Sequence, residues 1–347
     1  MGRSPRMQAP SPRPQRVWQR SPETHTPMPL VSMSLLPLLP SPSPSSFALP
    51  PSPRVRKLLP MGLTEPSAMA PDASPANAED HSHVEGGVVA LGKFEGLHLG
   101  HRALAERASE LGTPVMLSLS GMAEVLGWEP KLPVVASDDR ARVLESWGKH
   151  CRDMVPKEHV LEFAKIRKLS PEQFVEKLAN ELKVKGAVAG ADYRFGFRAS
   201  GKASDLVEFC KKYGLESAIV EPVMDSKDAP AVDGCSKDKG QVSTTRIRKA
   251  LAEGDMKRVA ELLGRNHRLY IEVKDSVQKE NVISFPIANV LNQPPTVGSY
   301  ECSLPLEGIN DVVQVRIQET EISLELQDSN LVNKITQQSR IALDFLA

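Results

Sequence analysis

Residues 87–101 read Gly-Val-Val-Ala-Leu followed by GKFEGLHLGH, and the fold is decided here. The run Val88-Val89-Ala90-Leu91 is short and wholly apolar, which suits a strand buried on both faces. Arg102 to Leu111 carries helix patterning. A buried strand, a glycine-punctuated turn and a helix start in succession bring free backbone N–H groups and the positive end of a helix to one point, a receptor for an anion. His98 and His101 stand at that turn, and both can donate to phosphate oxygens. Gly96 and Gly100 let the backbone come close to a bound phosphate. The turn matches neither G-x-G-x-x-G nor G-x-x-x-x-G-K-[ST]. A satisfied turn histidine next to a surface histidine is the plainer alternative.

Outward from this turn, strand and helix patterns alternate from Gly86 to about Gly264, which predicts a parallel sheet covered by helices. Pro114–Ser120, Val184–Gly190 and Ser217–Val223 read as strands; Asp138–Trp147, Ser170 to about Leu182 and Ser204–Tyr213 read as helices. Ser170-Pro171-Glu172-Gln173 has a capping serine, a proline at the first helical position and a glutamine placed to reach back. Directly after the strand ending at Gly190 comes Gly190-Ala191-Asp192-Tyr193-Arg194-Phe195-Gly196. Ligands collect beyond the carboxyl ends of strands in such sheets, so this block falls on the edge that holds the histidine turn. Tyr193 or Phe195 could stack on a flat ring, or both could be core aromatics after an ordinary turn. A third block, Val242-Ser243-Thr244-Thr245-Arg246-Ile247-Arg248, opens a helix running to Glu253. Its hydroxyls sit beside free N–H groups, and Arg248 offers a planar charged fork to polyphosphate; a plain N-cap with a solvated arginine is the alternative. The intervening loop, Asp225 to Gly240, is charged and glycine-containing.

The His-Leu-Gly-His of 98–101 resembles the His-x-Gly-His signature of nucleotidylyl transferases, and the wider string resembles the GNFDGxHxGH segment of bacterial FAD synthetases. The block at 190–196 is similar to their G-x-[DN]-[FY]-x-F-G, with Arg198 and Gly201-Lys202 resembling the basic loop that follows. Residues 242–248 resemble their [IV]-S-[ST]-T-x-[IV]-R block. The resemblance covers roughly 86–265, with the motifs in the family's order. It implies an α/β fold, a Rossmann-like nucleotidylyl transferase domain with a parallel sheet, followed by a small, shortened β-barrel-like domain.

What the resemblance implies chemically is transfer of AMP from ATP to FMN, giving FAD and pyrophosphate. It places His98 and His101 at the α-phosphate, with Arg248 as the third catalytic group. It assigns Gly92, Lys93, Phe94, Gly100, Ser243, Thr244, Thr245 and Arg248 to ATP, and Asp192, Tyr193 and Phe195 to FMN. Mg²⁺ would come with ATP, bridging phosphate oxygens and needing few protein ligands; no residue is assigned to a metal. Glu95 stands where the family has Asp and Lys93 where it has Asn, so side-chain roles there are open. Ser120–Leu126 replaces a Pro-His-Pro segment that shapes the family's flavin pocket. In the last eighty residues, Ser284-Phe285-Pro286-Ile287-Ala288-Asn289 is an altered echo of the riboflavin kinase block G-F-P-T-A-N, and Ile287 lacks the hydroxyl of Thr. Residues 311–326 alternate like barrel strands. The expectation is a kinase-dead barrel and a monofunctional enzyme. A different phosphate acceptor (pantetheine phosphate or nicotinamide mononucleotide) and a non-catalytic flavin-binding relative are the alternatives.

The remaining composition limits partners and place. Of 347 residues, 43 are Lys or Arg and 43 Asp or Glu, so bulk charge suggests no nucleic-acid surface. No membrane role is expected, and protein partners are open. Four cysteines, Cys151, Cys210, Cys235 and Cys302, are widely spaced, which favours a reducing compartment over a disulfide or zinc scaffold. Eighteen of 29 prolines precede residue 76, and the first sixty residues hold eight Arg or Lys against the single acid Glu23. That composition predicts a transit peptide. The expected division is 1–80 leader, 86–265 nucleotidylyl transferase domain and 268–347 degenerate riboflavin-kinase-like β domain. The expected location is the plastid stroma, with the mitochondrion as the alternative.

Overall fold

A computed structural model describes residues 82–226, 240–306, 309–327 and 329–347. The expected leader over 1–80 and most of the charged loop at 225–240 lie outside the described residues.

The chain opens with β1 (Val88–Leu91), α1 (Leu99–Leu111), β2 (Pro114–Ser120), a short α2 (Met122–Leu126) and α3 (Arg140–Trp147). β3 (Lys157–Glu162), α4 (Phe163–Ile166), α5 (Pro171–Asn180) and β4 (Gly186–Gly190) follow. A small hairpin of β5 (Arg194–Phe195) and β6 (Gly201–Lys202) leads to α6 (Ala203–Lys212) and β7 (Glu216–Val220). Then come α7 (Thr244–Glu253) and α8 (Met256–Leu263).

The five longer strands form one parallel sheet in the order β3-β2-β1-β4-β7. The strand order reverses beside β1, where the segments leaving β1 and β4 diverge and open a crevice at the carboxyl edge. β1 is fully buried, and its side chains alternate between faces. Val88 and Ala90 pack with Leu104, Val143, Ile247 and Leu251, whereas Val89 and Leu91 pack with Val175, Leu178 and Leu206. Ser170 and Gln173 form the expected capping box on α5, with Pro171 at its first position.

Some boundaries and elements differ from the sequence reading. β7 ends at Val220, short of the expected Val223, as Pro222 cannot donate to a ladder. β3 escaped notice because it is an edge strand: Lys-Glu-His-Val-Leu-Glu buries only His159 and Leu161, so it shows no apolar run. α2 stands where the Pro-His-Pro segment is missing. Gly121 (φ 69°) and Gly127 (φ 66°) bracket it in the left-handed region, which is what lets a one-turn helix reverse the chain at both ends.

The last part of the chain forms a seven-stranded sheet, its paired strands all antiparallel. Its elements are β8 (Arg268–Glu272), β9 (Val277–Lys279), β10 (Val282–Pro286), β11 (Gly298–Leu306), β12 (Ile309–Ile317), β13 (Glu321–Glu325), α9 (Ser329–Thr336) and β14 (Arg340–Phe345). Their order is β8-β14-β11-β12-β13-β10-β9. Leu331, Val332 and Ile335 of α9 fill the curved face, and this core is continuous with the one under α1, α3, α7 and α8. Buried Asn292 ties β8 to the segment that leads into α3. Its amide donates to Val134 O (3.0 Å) and Arg268 O (2.8 Å), and its carbonyl accepts from Tyr270 N (2.9 Å).

Candidate active site

The turn after β1 carries the histidines into the protein interior. His98 is the N-cap of α1, His101 lies in its first turn, and both are buried. Their rings stack at 3.6 Å between centroids with 20° between planes, and Phe94 meets His101 edge-on at 5.0 Å. Among the described residues neither Nδ1 has a hydrogen-bond partner. Burial first, then the positive charge of Arg265, lowers His98 to about 4. Burial, followed by His98, Arg140 and Arg265, holds His101 well below the usual histidine range. Both rings are therefore neutral at physiological pH, each with one N–H to offer and an unused polar atom, at a helix N-terminus. A methyl group on Gly100 would come within 3.2 Å of the His98 ring, so any larger residue there would press on the ring and shift it.

The third block meets this turn directly. Ser243 caps α7 by accepting from Arg246 N at 3.3 Å. A methyl group on Gly96 would lie 3.3 Å from Thr244 Oγ1, so the hydroxyl end of α7 abuts the histidine turn. Thr244 is half-buried and Thr245 exposed. Arg248 pairs with Glu95 and Gln293 and donates to Leu132 O at 2.9 Å; burial lowers its pKa. Lys93 is exposed, 3.6 Å from Glu95 and 5.3 Å above the Trp128 ring. The Phe94 side chain is buried in the core, and it meets the site through its backbone and its edge contact with His101. Gly92 is tight against the Phe94 ring, where a methyl group would clash at 2.9 Å.

The second block leaves β4, which pairs with β1 through Leu91↔Ala189, and it emerges on the same edge. Asp192 is exposed there, outside the cleft described next. Tyr193 and Phe195 stack at 6.0 Å with 10° between planes. They line a mainly apolar cleft of about 620 Å³ together with Leu119, Met122, Leu126, Trp128, Phe163, Phe174 and Phe197. Arg167, Arg194 and Arg198 stand on its wall. Arg198 and Ala199 are held at φ 55° and 54°, unusual for residues with side chains. Burial pushes the Tyr193 phenol up, so it stays a neutral ring.

Residues 80–230 match the family model described as FAD synthetase, and 266–346 match the FAD synthetase 1/2, C-terminal domain. The chloroplastic FAD synthetase 2 of Arabidopsis thaliana is 50% identical over 260 residues, covering 74% of this chain and 71% of the relative. The chloroplastic FAD synthetase 1 of the same plant is 52% identical over 235 residues, 66% of each chain. The chain belongs to the FAD synthetase family. A bifunctional riboflavin kinase/FMN adenylyltransferase of Listeria monocytogenes is 30% identical over 235 residues, covering 64% of this chain and 68% of that one. A crystal structure titled macrolide-efflux protein, from Streptococcus pneumoniae, superposes with a TM-score of 0.60 at 22% identity, over 78% of this chain and 88% of that one; the two share a fold.

The histidine turn is also held by groups that no motif announced. Arg140 donates to Phe94 O at 2.8 Å and through Nε to Glu158 at 2.8 Å. Burial opposes ionisation of Glu158, but the Arg140 hydrogen bond and charge outweigh it and hold the carboxyl below its usual range. Arg265 donates to Leu97 O at 2.6 Å and Gly96 O at 3.3 Å. Both arginines grip the back of the histidine turn. Neither stands at a recognisable spacing from it, and only the fold brings them there. Of the cleft lining, Tyr193 and Phe195 lie in the second motif, whereas Trp128 and Phe163 lie in segments with no motif.

Proposed function

We propose that this chain is an FMN adenylyltransferase. A phosphate oxygen of FMN attacks the α-phosphorus of ATP in line; that P–O bond forms as the bond to the β-phosphate bridging oxygen breaks, giving FAD and pyrophosphate. The observation that carries this is the pair of buried, neutral histidines at a helix N-terminus, each with an unbonded Nδ1, on the sheet edge that also holds an aromatic-lined cleft of flavin size. His98 and His101 donate to the α-phosphate oxygens as negative charge spreads in the transition state. The hydroxyls of Thr244 and Thr245 and the fork of Arg248 hold the outer phosphates, with Arg248 leaving Glu95 to do so. Tyr193 and Phe195 stack on the isoalloxazine, and Gly92, Lys93 and Gly100 border the nucleotide through the turn's backbone. Asp192, exposed at the same edge, reaches nucleotide or flavin from outside the cleft.

Mg²⁺ enters with ATP. Mg²⁺ keeps phosphate and water oxygens readily, so the nucleotide would carry it. When bound, it neutralises charge on the phosphates. The chain is proposed to lack riboflavin kinase activity. Ile287 has no hydroxyl, and the Asn289 amide is spent on Glu272 O (3.2 Å) and Lys274 O (2.6 Å). The family names of the Arabidopsis relatives and the composition of the leader support a plastid location, checked by following residues 1–80 fused to a fluorescent protein. Among the described residues no helix is long and apolar enough to cross a membrane.

The test is turnover with Mg²⁺, ATP and either FMN, riboflavin, pantetheine phosphate or nicotinamide mononucleotide. FAD from FMN alone supports the reading. FMN appearing from riboflavin defeats the kinase part, and turnover of another acceptor in place of FMN defeats the flavin part.

A further inference from the structure

Arg265 lies outside all three motifs, two residues past the end of α8, in the segment that joins the parallel sheet to β8. Its Nη1 donates to Leu97 O (2.6 Å) and Leu263 O (3.2 Å), and its Nη2 to Gly96 O (3.3 Å). Leu97 is fully buried and held at φ 43°, a left-handed conformation that is unfavourable for a residue with a side chain and persists only where surroundings enforce it. One planar fork therefore bonds the two carbonyls that precede His98. Arg265 is only partly buried as a whole residue, yet burial around its charged end pushes the guanidinium down to about 10.

We propose that Arg265 is a positioning residue for adenylyl transfer: it locks the strained turn that aims His98 and His101, and its charge stands behind both rings. This rests on the adenylyltransferase reading for its kinetic part. The charged and titratable groups around it are Asp139 before α3, Arg140 and Arg142 of α3, the two histidines of the turn, and His267 ahead of β8. A nucleotide's phosphate brings negative charge to this cationic surround. The turn that receives the nucleotide is thus held by the chain's entry into the second sheet, which gives that sheet a part in the reaction without any chemistry of its own.

The full chain carrying Arg265→Met or Arg265→Lys tests it. Methionine removes both fork and charge, and displacing the rings by about an ångström is expected to cut kcat about 100-fold with KM for FMN unchanged. Lysine keeps the charge but cannot bridge two carbonyls in one plane, so kcat falls about tenfold. The ring titrations, followed by NMR without substrate and assigned with His98→Ala and His101→Ala, separate positioning from mere structural support. In Arg265→Met the His98 ring titrates above its parental value of about 4, toward 6.5; in Arg265→Lys it stays low. Parental kcat in Arg265→Lys, or an unmoved His98 titration in folded Arg265→Met, overturns the proposal. If Arg265→Met does not fold, the lysine variant's kcat decides. A parent that makes no FAD defeats the functional reading instead, and the ring titrations still judge the placement of charge.

Discussion

At the scale of single residues, the site works by holding polar groups in readiness. A buried neutral imidazole with an unmet ring nitrogen is costly in the free protein, and an incoming phosphate relieves that cost. His101→Ala should therefore lower kcat about 100- to 1,000-fold, the range for losing one preorganised donor, while FMN still binds in the cleft; fluorescence quenching of FMN against turnover would show the split. Gly100→Ala should have a similar kinetic effect with little loss of fold, because the added methyl presses on the His98 ring at 3.2 Å. A variant that turns over normally would mean that ring placement does not matter. Burial that lowers these rings also sets a pH dependence of stability. His98 and His267 titrate at about 4 in the folded chain and near 6.5 when unfolded. Between those values the unfolded state binds more protons, so stability is complete above pH 6.5 and is lost as pH falls toward 4. Each ring accounts for up to about 3 kcal/mol. Urea midpoints should fall between pH 7 and pH 5, less steeply in His267→Gln; equal midpoints would contradict the burial argument.

Among the elements, two helix caps of the same chemistry do different jobs. Ser170 caps α5 within a closed box, far from the histidine turn in the chain and on the opposite face of the sheet. Ser243 caps α7 where its first turn abuts Gly96. Replacing either by alanine should cost about 1 kcal/mol of stability. Only Ser243→Ala should also raise KM for ATP, since the phosphates are expected at that helix start; paired urea and kinetic measurements distinguish the two. An unchanged KM would move the outer phosphates away from α7.

For the whole molecule, the question is how the second sheet is coupled to the first. Its core runs continuously into that beneath α1, α3, α7 and α8, and Asn292 joins β8 to the segment that leads into α3 through three backbone groups. Asn292→Leu should leave those groups unpaired and lower stability by roughly 3 kcal/mol or more. Gln293, its neighbour, pairs with Arg248 and donates its own N–H to Pro133 O at 2.8 Å, so the same change should also reduce turnover. Unfolding in one transition for the parent and two for Asn292→Leu would be the expected record in a urea titration. A parent that already unfolds in two steps would mean the sheets are energetically separate.

What the amino-acid order determined by itself was local. A buried strand, a glycine turn and a helix start are neighbours in the chain, so the anion receptor at 92–101 could be read directly, as could the capped starts of α5 and α7. Strand polarity placed the second block on the edge of the histidine turn, because it dictates where parallel strands end; the third block's place beside Gly96 came from the fold. Tertiary structure decided what only proximity creates. Arg140 and Arg265 reach the histidine turn from 46 and 168 residues away along the chain, and the cleft is walled by residues from β2 to the β5–β6 hairpin. The edge strand β3 carried no apolar signal, and the burial of the Phe94 side chain against the core was not announced by its place in the turn. A long-range hydrogen bond leaves no periodicity and no spacing in the sequence. It exists only once the backbone has fixed which carbonyls are left without a donor.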